Sequence, residues 1–383
     1  MRILFISHSF PPVVGGVENQ NYNLSRGLSK TTQVKVIANG RGKKWLPVFL
    51  PVAFLEALFL MTRFDACLLG SGVLAPLGAA LRFFHPRREF FCVVHGLDIT
   101  YGHKTGLLPI IYRKVNIPSL RRLDKLIAVG QATLQEALKV GVAEDKCVFV
   151  PNGVTVEDLK EEHSREELSE LLGEGLEGKR VILRLARFVP HKGTSWFIEN
   201  IMPRLPENVV LIAAGNRVAR NAVGDRDDFP NCEKATVDRH LESRVKLLPS
   251  LPWKDVKILL NTVDLVVSPN IRIPGSIEGF GINVIEAGAC GRVVIASNLE
   301  GLADAIKDGE NGFLVESGNV DEWVRRIDAV LGAAEGFLVD FGKRASQYVV
   351  ENYSWDEICR RYLEAMEAAR SIEFCFWHDE RRQ

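Results

Sequence analysis

Two glutamates flank a glycine-rich turn in the segment Ser276–Gly291, which reads Ser-Ile-Glu-Gly-Phe-Gly-Ile-Asn-Val-Ile-Glu-Ala-Gly-Ala-Cys-Gly. Glu278 precedes the turn, and Glu286 follows it with seven residues between them. Carboxylates accept hydrogen bonds well from neighbouring hydroxyl groups. The free N–H groups of a helix start attract anions. This combination of residue types predicts a site for a phosphorylated sugar.

The flanking sequence predicts how this segment is positioned. Asp264–Ser268 is a short apolar run ended by Pro269, which is typical of a buried strand, and a helical pattern begins near Ile282. The turn then offers a cradle of backbone N–H groups to an anion, from Gly279, Phe280, Gly281 and Ile282. An alternative stays open, in which Glu278 is an acid favoured by the helix dipole and Glu286 is a solvated surface residue.

A second candidate loop carries two cations. Arg187 and Lys192 follow the apolar run Arg180–Ala186, with four residues between them, and Gly193 comes next. A diphosphate leaving group gains negative charge as its bond breaks, so fixed cations aimed at it favour the transition state. Ordinary surface charge is the alternative.

The first half of the chain has two further candidates. Gly15 and Gly16 follow the first apolar run, and glycines there let backbone N–H groups approach a phosphate. His95 follows the run Phe90–Val94 and is succeeded by Gly-Leu-Asp98. A histidine at a strand end can bind a sugar hydroxyl or a developing charge, whereas a capped core histidine is the alternative.

These motifs together resemble the retaining family-4 glycosyltransferases, which have the GT-B architecture. The Glu278–Glu286 segment is similar to the Glu-x7-Glu signature of that family, and Gly15–Glu18 to its Gly-Gly-x-Glu segment. His95–Asp98 resembles its His-Gly-x-Asp element, and Arg187 to Gly193 its loop with Arg before Lys-Gly. The likeness runs in order from Gly15 to about Tyr362. One departure is Gly215-Asn216-Arg217, which lacks a second glycine and puts the nucleotide-side contacts of that loop in doubt.

The resemblance implies an enzyme that moves a sugar from a nucleoside-diphosphate sugar to a hydroxyl acceptor with retention of configuration. A glycan, a lipid-linked compound and a small molecule all stay open as the acceptor. The departing phosphate then accepts the acceptor proton, while a covalent intermediate on a carboxylate stays open. No cofactor is implied, because the sugar nucleotide is the donor substrate. The resemblance implies that Glu286 binds the nucleotide ribose and that Glu278 and His95 bind the donor sugar, with Asp98 in a supporting role. It also implies that Arg187 and Lys192 bind the diphosphate, together with the backbone N–H groups of Gly279–Ile282.

The organisation of the chain agrees with this fold. A length of 383 residues exceeds the roughly 250–300 at which single cores divide. Apolar runs alternate with helical segments throughout, which predicts two Rossmann-like, doubly wound parallel sheets facing a cleft. We expect an acceptor-side domain over residues 1–175, a donor domain over 176–352, and a C-terminal helix with a tail over 353–383 that packs back toward the first domain. The predicted strands begin at Arg2, Gln33, Ala66, Glu89, Lys125, Lys146, Arg180, Val209, Val245, Asp264, Arg292 and Gly312.

Charge is uneven along the chain, although its net charge is zero. Residues 1–150 contain 19 Lys and Arg against 9 Asp and Glu, and the rest contains 29 against 39. A basic first domain suits an anionic or lipid-linked acceptor, or peripheral contact with a membrane, whereas uneven solvated charge is the alternative. We expect no nucleic-acid partner. The apolar stretch Leu46–Met61 is too short to span a bilayer and is predicted to be a buried helix, with membrane contact as the lesser alternative.

Compartment and metal use are predicted from smaller signals. Seven scattered cysteines without a Cys-x-x-Cys pair are typical of thiols in a reducing compartment, and the start of the chain has the pattern of a first strand. We therefore expect a cytoplasmic protein, with the inner face of the membrane as an open alternative. Asp225-Arg226-Asp227 matches the Asp-x-Asp pattern of another glycosyltransferase architecture, but it lies in a polar run, so no metal site is expected.

Two other function classes stay open. A nucleotide-dependent oxidoreductase also has doubly wound sheets, although the chain lacks the Gly-x-Gly-x-x-Gly fingerprint. A sugar-nucleotide-binding protein without catalysis is the closer rival.

Overall fold

The computed structural model describes residues 1–13, 15–103, 106–218, 226–334 and 336–379, with side chains as far as residue 369. The chain divides into two compact units. Unit 1 contains Met1–Gly153 and the last helix, and unit 2 contains Val154–Ser354.

Unit 1 is built on a six-stranded parallel sheet with the order β2-β1-β3-β4-β5-β6. Residue Arg2 pairs with Gln33, and Ile3 pairs with Ala66, so β1 lies inside the sheet. The inner strands β1, β3, β4 and β5 are buried almost throughout, which is why they appear in the sequence as nearly continuous apolar runs, whereas the edge strands β2 and β6 are partly exposed. They are β1 Arg2–Ser7, β2 Gln33–Ala38, β3 Ala66–Leu69, β4 Glu89–Val94, β5 Lys125–Ala128 and β6 Cys147–Phe149.

Helices cover both faces of this sheet. The helices of unit 1 are α1 Gly16–Ser29, α2 Leu46–Leu60, α3 Ala75–Phe84, α4 Leu97–Thr100, α5 Leu107–Arg122, α6 Gln131–Lys139 and α15 Trp355–Asp379. One apolar core joins α2, α3 and α5 to alternate strand residues such as Leu4 and Ile6. Helix α1 packs against α15, and Gly27 lies so close to Cys359 that a larger residue would overlap the thiol. The predicted C-terminal helix therefore belongs to the first unit.

Unit 2 repeats the design with the strand order β12-β11-β10-β7-β8-β9, again all parallel. Its strands are β7 Arg180–Leu185, β8 Val209–Gly215, β9 Val245–Pro249, β10 Leu265–Ser268, β11 Val293–Ser297 and β12 Phe313–Val315. Its helices are α7 Arg165–Leu172, α8 Thr194–Asn200, α9 Phe229–Asp238, α10 Trp253–Thr262, α11 Ile282–Ala289, α12 Gly301–Ala305, α13 Val320–Leu331 and α14 Phe337–Tyr353. Two parallel α/β sheets were predicted, and this fold class is confirmed.

The segment before β7 lies in unit 2, whereas the sequence placed residues 154–175 in the first domain. Its high charge resembles a linker, but Leu168 of α7 is fully buried and α7 packs against α10. Asn261 of α10 donates a 2.8 Å hydrogen bond to the Leu159 carbonyl. Local packing therefore extends unit 2 back to Val154.

The prediction of a buried helix at Leu46–Met61 is wrong in one respect. The segment is helical, but only Ala53 and Ala57 of α2 are buried within it. These small residues pack on the sheet and on α3, while the opposite side of the helix is exposed. In the described residues, no helix is both long enough and apolar enough to cross a membrane.

Candidate functional site

The loop between β10 and α11 carries Glu278, as the sequence predicts. The Lys192 ammonium donates a hydrogen bond to the Glu278 carboxylate, and the Asn270 amide donates another at 2.8 Å. Both side chains of the ion pair are only 12% exposed. Burial acts to raise the pKa of Glu278, but Lys192 and Asn270 hold it below the usual value. Glu278 is therefore ionised and fixed at neutral pH.

A buried arginine supports this pair and was missed in the sequence. Arg184 lies inside β7 at 1% exposure and donates to the Lys192 carbonyl at 2.7 Å, the Asn270 side chain at 3.1 Å and the Ser268 hydroxyl at 3.2 Å. Burial lowers the pKa of Arg184 to about 10, while Glu278 opposes that change, so the guanidinium is charged. The signal that could have found it is a cation inside an otherwise apolar strand.

The Lys192 loop passes close to the end of β10. Gly193 has a φ of +69°, and a Cβ there would overlap the Pro269 carbonyl oxygen. Only glycine combines this backbone conformation with so close an approach. Gly193 thereby sets the position from which Lys192 reaches Glu278. Arg187 of the same loop is exposed, and its charge adds to burial in lowering the pKa of Lys192.

Two of the four backbone N–H groups that were predicted to bind an anion donate hydrogen bonds within the protein. The Gly281 N–H donates to the Gly301 carbonyl at 3.4 Å, and the Ile282 N–H donates to the Phe280 carbonyl at 2.9 Å. Within the described chain, the N–H groups of Gly279, Phe280 and Asn283 have no acceptor. The cradle open to an anion is thus smaller than the predicted Gly279–Ile282 set.

The Phe280 side chain has a packing role. Its ring is 4% exposed and lies edge-on to Tyr353, with ring centroids 5.7 Å apart. Gly301 packs against the Gly279 carbonyl, and its N–H donates to the Glu278 carbonyl at 3.1 Å. The Glu278 N–H donates to the Glu300 carboxylate at 2.6 Å. These contacts fix the backbone on both sides of Glu278.

Helix α11 begins at Ile282 as predicted and carries Glu286 in its second turn. The side chain of Glu286 is partly buried, and burial raises its pKa to about 7. Asn283 on the same helix donates to the Leu185 carbonyl at 3.2 Å and to the Ser268 hydroxyl at 3.3 Å. This contact ties the start of α11 to the carboxyl ends of β7 and β10.

Unit 1 gathers a separate polar group at the carboxyl edge of its sheet. The Asp98 carboxylate accepts the His95 N–H at 2.9 Å and the Gly72 N–H at 2.9 Å, and the His95 ring contacts the Gly70 carbonyl through Nε2 at 3.0 Å. Asp98 thus positions the His95 backbone. His8, which follows β1, joins this group and was missed, although it too lies at a strand end.

His8 is held neutral. Burial and the nearby His95 lower the pKa of His8 to about 4. Its Nδ1 is buried and has no hydrogen-bond partner in the described chain. An imidazole in this state can accept or donate one hydrogen bond to a ligand.

The glycine pair at the start of α1 differs from a simple phosphate cradle. The Glu18 carboxylate lies directly against Gly15, where a larger residue would overlap it, and it accepts a hydrogen bond from Ser9. The Glu18 carboxylate already interacts with the positive end of the dipole of α1. The position beside Gly15 and Gly16 therefore suits ligand hydroxyl groups better than a phosphate.

The Asp-x-Asp pattern, a possible source of metal ligands, lies only partly within the described residues. Asp225 of the Asp-x-Asp pattern lies outside the described residues, and Asp227 accepts hydrogen bonds from Arg217 at 2.7 and 3.0 Å. Across the described ranges, no three His, Cys, Asp or Glu side chains come together as metal ligands.

Comparison with known proteins gives the family. Residues 173–348 match the model for glycosyl transferases group 1, and residues 14–158 match the model for glycosyltransferase family 4. The chain is 27% identical over 280 residues to N,N'-diacetylbacillosaminyl-diphospho-undecaprenol alpha-1,3-N-acetylgalactosaminyltransferase of Campylobacter jejuni, across 71% of this chain and 69% of that protein. It is 23% identical to a subunit of phosphatidylinositol N-acetylglucosaminyltransferase from Arabidopsis thaliana, across 94% of this chain and 80% of that protein.

The fold also matches solved structures. The Anabaena HepE protein in complex with UDP-glucose superposes with a TM-score of 0.74 at 20% identity, over 96% of this chain and all of that chain. Two matched models that together span most of the sequence, and two parallel sheets like those of GT-B structures, lead to one conclusion: the chain belongs to glycosyltransferase family 4 and has the GT-B fold.

Proposed function

We propose that the chain transfers a sugar from a nucleoside-diphosphate sugar to a hydroxyl acceptor with retention of configuration. The observation that carries this proposal is the fixed cluster of Glu278, Lys192 and Arg184 at the carboxyl ends of β7 and β10. Ligands of open parallel sheets bind at such strand ends. The cluster combines a hydroxyl-binding carboxylate with cations that suit a diphosphate.

The charges of the cluster favour a diphosphate donor. Glu278 carries one negative charge, and Lys192 and Arg184 carry two positive charges, so this buried group has an excess of positive charge. Arg187 in the same loop adds another cation. The Gly279, Phe280 and Asn283 N–H groups at the start of α11 complete the anion site. HepE, a structural neighbour, was crystallised with UDP and with UDP-glucose, which supports a nucleotide-sugar donor here.

In this proposal Glu278 and His95 bind hydroxyl groups of the donor sugar, and Glu286 binds the nucleotide ribose. Glu278 is already committed to Lys192 and Asn270, which makes it a better hydrogen-bond acceptor than attacking group. Lys192 and Arg187 stabilise the charge that develops on the departing phosphate. That phosphate takes the acceptor proton while the new bond forms on the face from which it leaves.

The acceptor in this proposal is a lipid-linked hydroxyl compound. The names of the Campylobacter and Arabidopsis relatives refer to a diphospho-undecaprenol and to phosphatidylinositol, and both of these are lipids that carry phosphate. The excess of Lys and Arg in residues 1–150 agrees with an acceptor that carries phosphate. Glu18 and Asp98 supply carboxylates that can bind the hydroxyl groups of such an acceptor.

The first test is a panel of UDP-, GDP- and ADP-sugars scored by thermal shift, because a ligand at 100 times its Kd stabilises a protein by about 2.7 kcal/mol. Hydrolysis of the selected donor is then compared in Glu278→Gln and Arg187→Ala, with Glu242→Gln and Arg325→Ala as exposed matched controls. We expect the first two variants to lose at least about 100-fold in rate and the controls to keep theirs. Unchanged hydrolysis in Glu278→Gln and Arg187→Ala refutes the site.

Two further readouts separate the alternatives. Donor binding without hydrolysis or transfer by the unsubstituted chain identifies a sugar-nucleotide-binding protein without catalysis. NMR of the glycoside product gives its anomeric configuration, and an inverted product refutes retention.

A further inference from the structure

Helix α2 has an apolar face that the protein leaves uncovered. Val48, Val52, Leu55 and Phe59 follow one another at helical spacing and are 57%, 57%, 55% and 74% exposed. The other side of α2 is apolar as well and packs into the core of unit 1 through Ala53 and Ala57. Scattered exposed apolar residues are ordinary, but a continuous stripe marks a surface that contacts something else.

Neighbouring helices extend this surface. Helices α2, α3 and α5 pack side by side on the same face of the first sheet. Phe83 at the end of α3 is 81% exposed, and Leu107 and Leu108 at the start of α5 are 73% and 70% exposed. We call the exposed side of these three helices the α2–α5 face; it comprises Trp45, Val48, Val52, Leu55, Phe59, Phe83, Phe84, Leu107, Leu108, Ile111 and Val115.

The same part of the chain is strongly basic. Residues 41–122 contain 12 Lys and Arg but only 4 Asp and Glu. Of the acids, Glu89 and Asp98 are buried, and Asp65 pairs with Arg2 at 2.8 Å, which leaves Glu56 as the exposed one. Exposed cations lie directly beside the apolar residues, at Arg41, Lys43, Lys44, Arg113 and Lys114. Exposed cations therefore flank the apolar residues along the chain, just before α2 and within α5.

We infer that the α2–α5 face docks on an anionic lipid bilayer, with its apolar side chains in the interface and its lysines and arginines on the lipid head groups. Trp45 suits this position, because tryptophan favours the boundary between lipid and water, and the Arg41 guanidinium lies 4.8 Å from its ring centroid. A symmetric contact with a second copy is less favourable, since it brings the Lys43, Lys44 and Arg113 cations of both copies together.

The direction of α2 places the start of the α2–α5 face at the carboxyl edge of the first sheet. A helix that connects two parallel strands runs opposite to them, so α2 starts at the carboxyl edge of the first sheet. Trp45 therefore lies at the sheet edge that also carries His8 and His95. Docking through the α2–α5 face holds that edge at the bilayer surface, where a lipid-linked hydroxyl group is presented.

The test is co-sedimentation of the full chain with vesicles of phosphatidylcholine alone or with about one third phosphatidylglycerol, at low and high salt. We expect binding to the anionic vesicles at low salt and weaker binding at high salt. Lys43→Gln with Lys44→Gln should weaken binding about 25-fold, since each cation near an anionic surface contributes roughly fivefold. Val52→Ser with Leu55→Ser and Phe59→Ser should weaken it at least about 100-fold.

Controls keep the result interpretable. Val237→Ser with Val339→Ser changes two side chains of unit 2 that are 58% and 59% exposed, and it should leave vesicle binding intact. Thermal melting of each variant checks folding. Glu278→Gln should bind vesicles like the unsubstituted chain, so failure of the proposed catalytic site does not affect this test.

Two outcomes overturn the inference. One is vesicle binding that survives the Val52, Leu55 and Phe59 substitutions. The other is absence of binding to the anionic vesicles at low salt. If sedimentation velocity without lipid then shows a dimer that the same substitutions dissociate, the face is an interface between two copies.

Discussion

Glu286 provides a pH test of the proposed donor site that needs no substrate. Burial in unit 2 raises the pKa of this carboxyl to about 7, whereas an unfolded glutamate has a pKa of about 4.5. Between these values the folded chain holds a proton that the unfolded chain has lost. The free energy of unfolding therefore falls as the pH rises through this window, because the carboxyl ionises in the unfolded chain while the folded chain keeps it protonated.

The size of the effect follows from the same two values. At pH 8 the difference of about 2.5 pKa units costs the folded state up to about 3 kcal/mol, and at pH 5 it costs less than about 1 kcal/mol. Partial exposure of the side chain screens part of this cost, so about 1–2 kcal/mol at pH 8 is expected. Glu286→Gln keeps the shape and hydrogen bonding of a protonated glutamate but cannot ionise.

We therefore expect Glu286→Gln to raise the Tm of the unit 2 transition by roughly 2–8 °C at pH 8 and by less than about 2 °C at pH 5, measured by calorimetry. Glu242→Gln, an exposed glutamate of the same unit, serves as the control and should show no such dependence on pH. An equal change in Tm at both pH values for Glu286→Gln refutes the reasoning, because a packing effect does not depend on ionisation.

Two other predictions concern single positions. Gly193→Ala should lower the free energy of unfolding of unit 2 by about 2–4 kcal/mol in urea, because φ is +69° and the new Cβ overlaps the Pro269 carbonyl. Gly309→Ala is the control: its φ is +78° but the space around it is open, so the loss should be only about 1 kcal/mol. Equal losses in the two variants contradict the explanation by close approach. For His8, whose pKa is lowered to about 4 in the folded chain, stability should fall by up to about 3 kcal/mol as the pH decreases from 6.5 to 4, and His8→Asn should remove that part of the acid sensitivity. An NMR titration that finds His8 charged at pH 6 contradicts this explanation.

The sequence predicted the sheets well because most of their inner strands are buried on both faces. Each of the twelve predicted strands overlaps a strand of the structure, and α11 begins at Ile282 as expected. A strand covered by helices on both sides is apolar at most positions, and Pro269 and the nearby glycines mark where such a run stops. Burial on two faces therefore leaves a clear local signal.

Other features depend on contacts between distant residues and leave little signal. Nothing local distinguishes a helix buried all round from α2, whose outer face is apolar but exposed. The charged segment before β7 has the composition of a linker, but a few contacts with α10 place it in unit 2. From the sequence, the N–H groups of Gly281 and Ile282 were predicted to be free for an anion. In the structure they donate to the carbonyls of Gly301 and Phe280, which only the folded turn brings near.

Arg184 shows why the chemistry of the site could be predicted only in part. The sequence supplied Lys192 and Glu278 as separate ligand contacts, whereas in the structure they form a buried ion pair that Arg184 supports through the Lys192 carbonyl and Asn270. Two buried cations share one buried carboxylate in this cluster, so the second cation lacks a full counterion among the three groups. A buried charge of that kind is costly unless something neutralises it. In the proposed function, the diphosphate of the donor, bound beside the start of α11, would supply the missing negative charge and so offset the cost of burying Arg184.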